Sequence, residues 1–92
     1  MSKVLFEKLS IQEKIDFSRH LAMIVKAGVP VYEGLSIIRK QNLSPSMRSV
    51  LDRAMEDVNN GKFLSESLAG HERLFGAFFI NIIRVLETSL TL

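Results

Sequence analysis

The run Phe17-Ser18-Arg19-His20-Leu21-Ala22-Met23-Ile24-Val25-Lys26-Ala27-Gly28-Val29-Pro30-Val31 constrains this chain more than any other segment. A helix reads up to Ala27, stops at Gly28 and restarts around Pro30 with no real loop between. Glycine at the position after a helix takes the left-handed conformation that ends it. Proline presets φ for the first turn of the next helix. Ala27, Gly28, Val29 and Pro30 therefore read as a rigid helical corner that fixes the direction of the second helix against the first.

Helical periodicity runs through the rest, and strand alternation is hard to find. Ser10 with Glu13 three residues later is a capping-box signature. It opens a first helix over Ile11 to Ala27, with Ile11, Ile15, Phe17, Leu21, Ala22, Ile24 and Val25 on one half. Asp16, Arg19, His20 and Lys26 take the other half. A second helix spans Val31 to Lys40. Gly34 inside it costs roughly 1 kcal/mol against alanine, and a close helix approach would account for it about as well as chance. Ser44 and Pro45 open a third helix, which carries Met47, Val50, Leu51, Ala54, Met55 and Val58 as a buried stripe and ends at Gly61. Ser65 reads as the cap of a short fourth helix, Glu66 to Ala69. Gly70 to Arg73 reads as a polar link. A fifth helix starts near Gly76 and continues to the chain end.

The fifth helix is apolar over more than half its surface, through Phe78, Phe79, Ile80, Ile82, Ile83, Val85, Leu86 and Leu90. A surface helix of a small domain needs a narrower stripe, so this one should be buried on two sides. Phe79, Ile83, Leu86 and Leu90 follow the 4-3-4 spacing of a paired helix. The pattern fits chain–chain contact and intramolecular core equally. Glu87 lies at the edge of that surface, where a buried carboxylate is costly without a partner. It is a candidate interface charge, with a position at the wet rim as the plainer reading.

Ninety-two residues make one domain, 1–92, with 1–10 as a lead-in. Net charge is +2 with acids and bases interleaved, which gives no argument for nucleic acid. There is no cysteine, so disulfides and thiolate metal sites are excluded. The longest apolar stretches are interrupted by Asn81, Arg84 and Glu87, short of a membrane span. The chemical inventory is thin. His20 and His71 stand alone, without a second histidine three or four residues away, and read as surface residues. Asp52, Glu56 and Asp57 read as solvated face charges. No catalytic, cofactor-binding or metal-binding set is expected.

Taken together the residues resemble the F domain of the platform proteins of type II secretion and type IV pilus assembly. Phe17 to Val31 looks like that family's first motif, and Tyr32-Glu33-Gly34-Leu35 continues it. Val58-Asn59-Asn60-Gly61-Lys62-Phe63-Leu64-Ser65-Glu66-Ser67-Leu68 is similar to the second. Phe75-Gly76-Ala77-Phe78-Phe79 looks like the third, although the family commonly has proline where Gly76 stands. The last motif, typically Gly-Glu-x-Ser-Gly-x-Leu, appears as Leu86-Glu87-Thr88-Ser89-Leu90-Thr91-Leu92. Both glycines, one helical turn apart, are leucine here, which removes a place for close helix approach.

The resemblance implies an all-α antiparallel helical bundle of four to five helices, and the periodicity supports that independently. It implies a truncated cytoplasmic domain at the inner face of the bacterial inner membrane, lacking the family's later helices and its transmembrane segments. The implied function is scaffolding. The implied partners are the assembly ATPase and other inner-membrane components, with Arg19 and Lys26 as candidate partner-binding residues. A homo-oligomer, a dimer first, is expected through Phe79, Ile83, Leu86 and Leu90. The competing reading is a small soluble helical binding or regulatory module unrelated to secretion.

Overall fold

The computed structural model describes residues 9–90, with side chains through 88. Residues 1–8 of the expected lead-in lie outside the described residues. Every regular element described is helical: α1 (Ile11–Lys26), α2 (Val31–Arg39), α3 (Pro45–Asn59), α4 (Leu64–Ala69), α5 (Glu72–Phe75) and α6 (Ala77–Leu90). The polar link expected after Gly70 contains the short α5. Each helix packs on its chain neighbour, α1 on α2, α2 on α3, α3 on α4, and α6 covers α4 and α5.

Local chemistry sets the element ends. Ser10 and Glu13 form the capping box of α1: the Ser10 hydroxyl accepts from the Glu13 amide at 3.0 Å, and Glu13 Oε1 accepts from the Ser10 amide at 3.2 Å. Ser44 caps α3, accepting the Met47 amide at 3.2 Å, with Pro45 as first helical residue. At the end of α1, Gly28 has φ 79°. Its amide donates to the Val25 carbonyl at 3.0 Å, and the Val29 amide donates to the Ile24 carbonyl at 3.1 Å. These two bonds are the Schellman closure of a helix. Pro30 then occupies the cap of α2 rather than its first helical turn, and its carbonyl accepts the Gly34 amide at 2.9 Å.

The corner folds α2 back onto α1 closely. A Cβ placed on Gly34 would collide with the Ile24 side chain. Of the two readings the sequence leaves open for the glycine inside α2, close helix approach is thus the one observed. The core is continuous: Phe17 and Leu21 of α1, Leu35 and Ile38 of α2, Met47, Val50, Leu51 and Ala54 of α3, Leu64 and Leu68 of α4, and Leu74, Phe75, Ile80 and Ile83 of the last two helices. Phe17, Phe75 and Phe79 form an aromatic trio with ring centroids 5.2–6.1 Å apart, which ties α1 to α5 and α6.

Candidate functional site

Three of the buried polar residues among those described, Asp57, Ser65 and Ser67, gather around α4, while Ser46 lies at the start of α3. Helix α4 is only six residues long, too short to be stable by itself, and Leu64 and Leu68 fix one side of it in the core. Ser65 and Ser67 project from opposite sides and are buried at 2% and 6% exposure. Ser67 donates its hydroxyl to the Asp57 carboxylate of α3 at 2.7 Å. Glu87 of α6 accepts both the Ser65 amide, at 2.8 Å, and the Ser65 hydroxyl, at 2.6 Å. One carboxylate from each neighbouring helix therefore clamps α4.

This arrangement corrects the expected role of Ser65. The residue at the cap of α4 is Phe63, whose side chain cannot accept a hydrogen bond. Ser65 sits at the second helical position, and Glu87 supplies the acceptor that the first-turn amide needs. Glu66 reaches back to the Phe63 amide at 2.9 Å. Glu87, expected as an interface charge or a wet rim residue, is half-buried and spends both oxygens inside the chain.

Asp57 is also not a solvated face charge. The Ser67 hydroxyl, first, and then the charges of Lys62 and Arg53 hold its carboxyl below the ordinary value, against the opposing effect of desolvation. Arg53 approaches it at 3.5 Å. Asp52, expected as a solvated face charge, pairs across to Arg39 of α2 at 2.6 Å. That bond lowers the Asp52 carboxyl and raises the Arg39 guanidinium.

One cavity borders this framework and another lies apart from it. The first, of about 350 Å³, is lined by Arg53, Asp57, Lys62, Glu66, Ser67, Gly70 and His71. His71 is half-buried there; burial, and then the charge of Arg53, push its imidazole below the ordinary value while Asp57 partly offsets them. The other, about 90 Å³, lies between α1 and the α2–α3 turn, with Glu13, Asp16 and His20 on its wall. Glu13 accepts the Ser44 amide across it at 3.3 Å. His20 is thus half-buried rather than a plain surface residue. Among the described residues no cluster of three or more His, Asp or Glu is placed to hold a metal ion.

The residues expected to meet partners divide. Arg19 and Lys26 are exposed on α1, with Met23 between them 64% exposed. The seam expected for pairing turns the other way. Ile83 is buried, and Phe79 and Leu86 pack against the chain's own core, because α6 closes over α4 and α5. The side chain of Leu90 lies outside the described residues. The outward stripe of α6 is instead Phe78, Ile82 and Val85, at 80%, 43% and 61% exposure.

The α1–α2 corner and the short α4 fall on the first and second of the motifs that carry the resemblance. The family model for Type II secretion system (T2SS), protein F, matches residues 17–92. The chain belongs to that family. It is similar to the type 4 fimbrial assembly protein PilC of Pseudomonas putida, at 34% identity over 88% of this chain and 21% of the relative. It is 34% identical to the type IV pilus assembly protein PilC of Thermus thermophilus over 79% of this chain and 18% of that protein. It is 33% identical to the type IV pilus assembly protein TapC of Aeromonas hydrophila over 78% and 17%. The chain spans about a fifth of the length of these relatives. No solved structure matches it. Among the described residues no helix is long and apolar enough to cross a membrane.

The clamp itself leaves only a trace in the sequence. Two serines interleaved with two leucines in a six-residue helix are polar groups destined for burial, and such groups need acceptors. Asp57 and Glu87, each beside an apolar stripe, are the acceptors available.

Proposed function

We propose that this domain is a non-catalytic scaffold of an inner-membrane platform protein for type IV pilus or type II secretion assembly, working on the cytoplasmic side. The observation that carries this reading is the family match across 17–92 onto a fold whose buried polar groups are consumed by internal contacts. Asp57, Glu87, Ser65 and Ser67 lock helices together. A domain built this way transmits force between partners as a rigid body.

The partner surface we assign to the assembly ATPase is the outer side of α1. Arg19, Met23 and Lys26 follow i, i+4, i+7 spacing there, and all three are exposed. A cationic stripe with an apolar centre suits an acidic, partly apolar partner. The test is a pull-down of the assembly ATPase by the full parent protein carrying Arg19→Glu and Lys26→Glu. Loss of capture with an unchanged melting temperature supports the assignment. Equal capture by wild type and double variant removes α1 as the docking face.

A further inference from the structure

We propose that the cavity bordered by α3, α4 and α5 binds the carboxylate of an acidic peptide segment, held by Arg53, Lys62 and His71. The three residues come from successive stretches of chain: α3, the turn after it and the start of α5. They line one space of about 350 Å³, within the range of small-ligand pockets, ~300–1,000 Å³. Its floor is buried and its mouth is open. The Asp57 side chain is 13% exposed and that of Arg53 65%, while Lys62 is exposed.

Donors and acceptors on this wall are unequally used. The acceptors are engaged within the chain: Asp57 Oδ2 accepts the Ser67 hydroxyl at 2.7 Å, and Glu66 Oε1 accepts the Phe63 amide at 2.9 Å. Arg53 approaches Asp57 through Nε at 3.5 Å, too long for a strong hydrogen bond, so its guanidinium keeps donors for a ligand. Lys62 acts on Asp57 through the field of its charge. A site with donors in surplus calls for a ligand that accepts. A carboxylate takes charge-assisted bonds from guanidinium, ammonium and imidazolium alike.

Charge selects a single carboxylate. With His71 neutral, Arg53 and Lys62 balance Asp57 and Glu66 on the wall, and Glu72 and Arg73 of α5 itself cancel one another. One carboxylate adds one negative charge, and a proton on His71 restores the balance. A dianion such as phosphate leaves a charge uncompensated, and a cation is repelled by Arg53 and Lys62. Burial, and then the Arg53 charge, hold His71 below its ordinary value, with Asp57 acting the other way. An incoming carboxylate favours the charged imidazole. Binding therefore takes up a proton, and affinity rises as pH falls. The site is separate from the outer side of α1, so the two assignments fail independently.

The test is calorimetry on the full 92-residue chain with an N-acetylated, C-amidated hexaglutamate peptide as probe. Its carboxylates stay ionised between pH 7.5 and pH 6, so a pH dependence belongs to the protein. Affinity should rise about fivefold over that fall in pH, with net proton uptake read from buffers of different ionisation enthalpy. In wild type, the His71 ring resonances should titrate at higher pH with peptide than without. Lys62→Gln should weaken binding roughly tenfold, as loss of a charge-assisted bond does, with an unchanged melting temperature. His71→Gln should bind without pH dependence. Absence of binding at both pH values overturns the proposal, as does binding indifferent to Lys62→Gln. A His71 titration unmoved by peptide also overturns it. So does inorganic phosphate binding more tightly than the peptide, or capture lost through Arg19→Gln and Lys26→Gln on α1 instead.

Discussion

Two glycines decide the α1–α2 corner for different reasons, and substitution separates them. Gly28 sits at φ 79° with nothing within 4 Å of the position a Cβ would take. Its requirement is purely one of backbone conformation. Gly28→Val should cost about 1–3 kcal/mol, the range for a side chain forced into sparsely populated backbone. Gly28→Asn should cost less, because asparagine tolerates the left-handed region. Equal denaturation midpoints for the valine variant and wild type would contradict this. Gly34 is the opposite case. It lies inside α2, where alanine should gain about 1 kcal/mol of helix propensity. The added Cβ collides with Ile24, however, and overpacking typically costs about 1–3 kcal/mol. Gly34→Ala should therefore destabilise on balance. Ile24→Ala in the same chain should recover part of the loss, and a double-mutant cycle reads that coupling directly. Additive losses would mean that the two helices do not meet at this point.

At the scale of elements, α4 is held by its neighbours more than by its own sequence. Glu87→Ala removes the acceptor for the Ser65 amide and hydroxyl together. Leaving buried donors unpaired costs about 1–3 kcal/mol, so the variant should melt earlier, with amide exchange in Leu64–Ala69 rising first. Glu87→Gln keeps one acceptor oxygen and should fall between. Unchanged exchange in α4 would show that its leucines alone hold it. The same helix shows what is legible in the sequence and what is not. Helix positions and most ends are readable, because Ser10, Ser44, Pro45, Gly28 and Gly61 act locally, through atoms within a few residues. The all-α class comes from periodicity alone. The cap of α4 is not readable, because its acceptor lies 22 residues away, on another helix. The inward side of α6 is unreadable for a related reason. Apolar residues cover more than half of that helix, so spacing cannot say that Ile80 and Ile83 face inward while Phe78, Ile82 and Val85 face out.

For the whole molecule, the buried and paired titrating groups predict a two-step loss of stability on acidification. The folded state holds His71 below its ordinary value of 6.5, chiefly through burial. A group with a depressed folded value binds protons more readily in the unfolded chain, so stability falls as pH falls. This contribution is complete above pH 6.5 and is lost as pH drops below that, through the folded value of the imidazole. The second step belongs to Asp57 and Asp52, both held below their ordinary value of 3.8, by Ser67 and Arg39 respectively. Their contributions are complete above pH 3.8 and are lost as pH falls through their folded values. His71→Gln should flatten the upper step and leave the lower one in place. Asp57→Asn should shrink the lower step to the part carried by Asp52, because an amide oxygen still accepts from Ser67 but no longer titrates, and should deepen the upper step, because the Asp57 charge no longer offsets the depression of His71. Urea midpoints measured from pH 8 to pH 2 distinguish these outcomes. If His71→Gln and wild type lose stability in parallel between pH 7 and pH 5, the imidazole is not shielded among α3, α4 and α5.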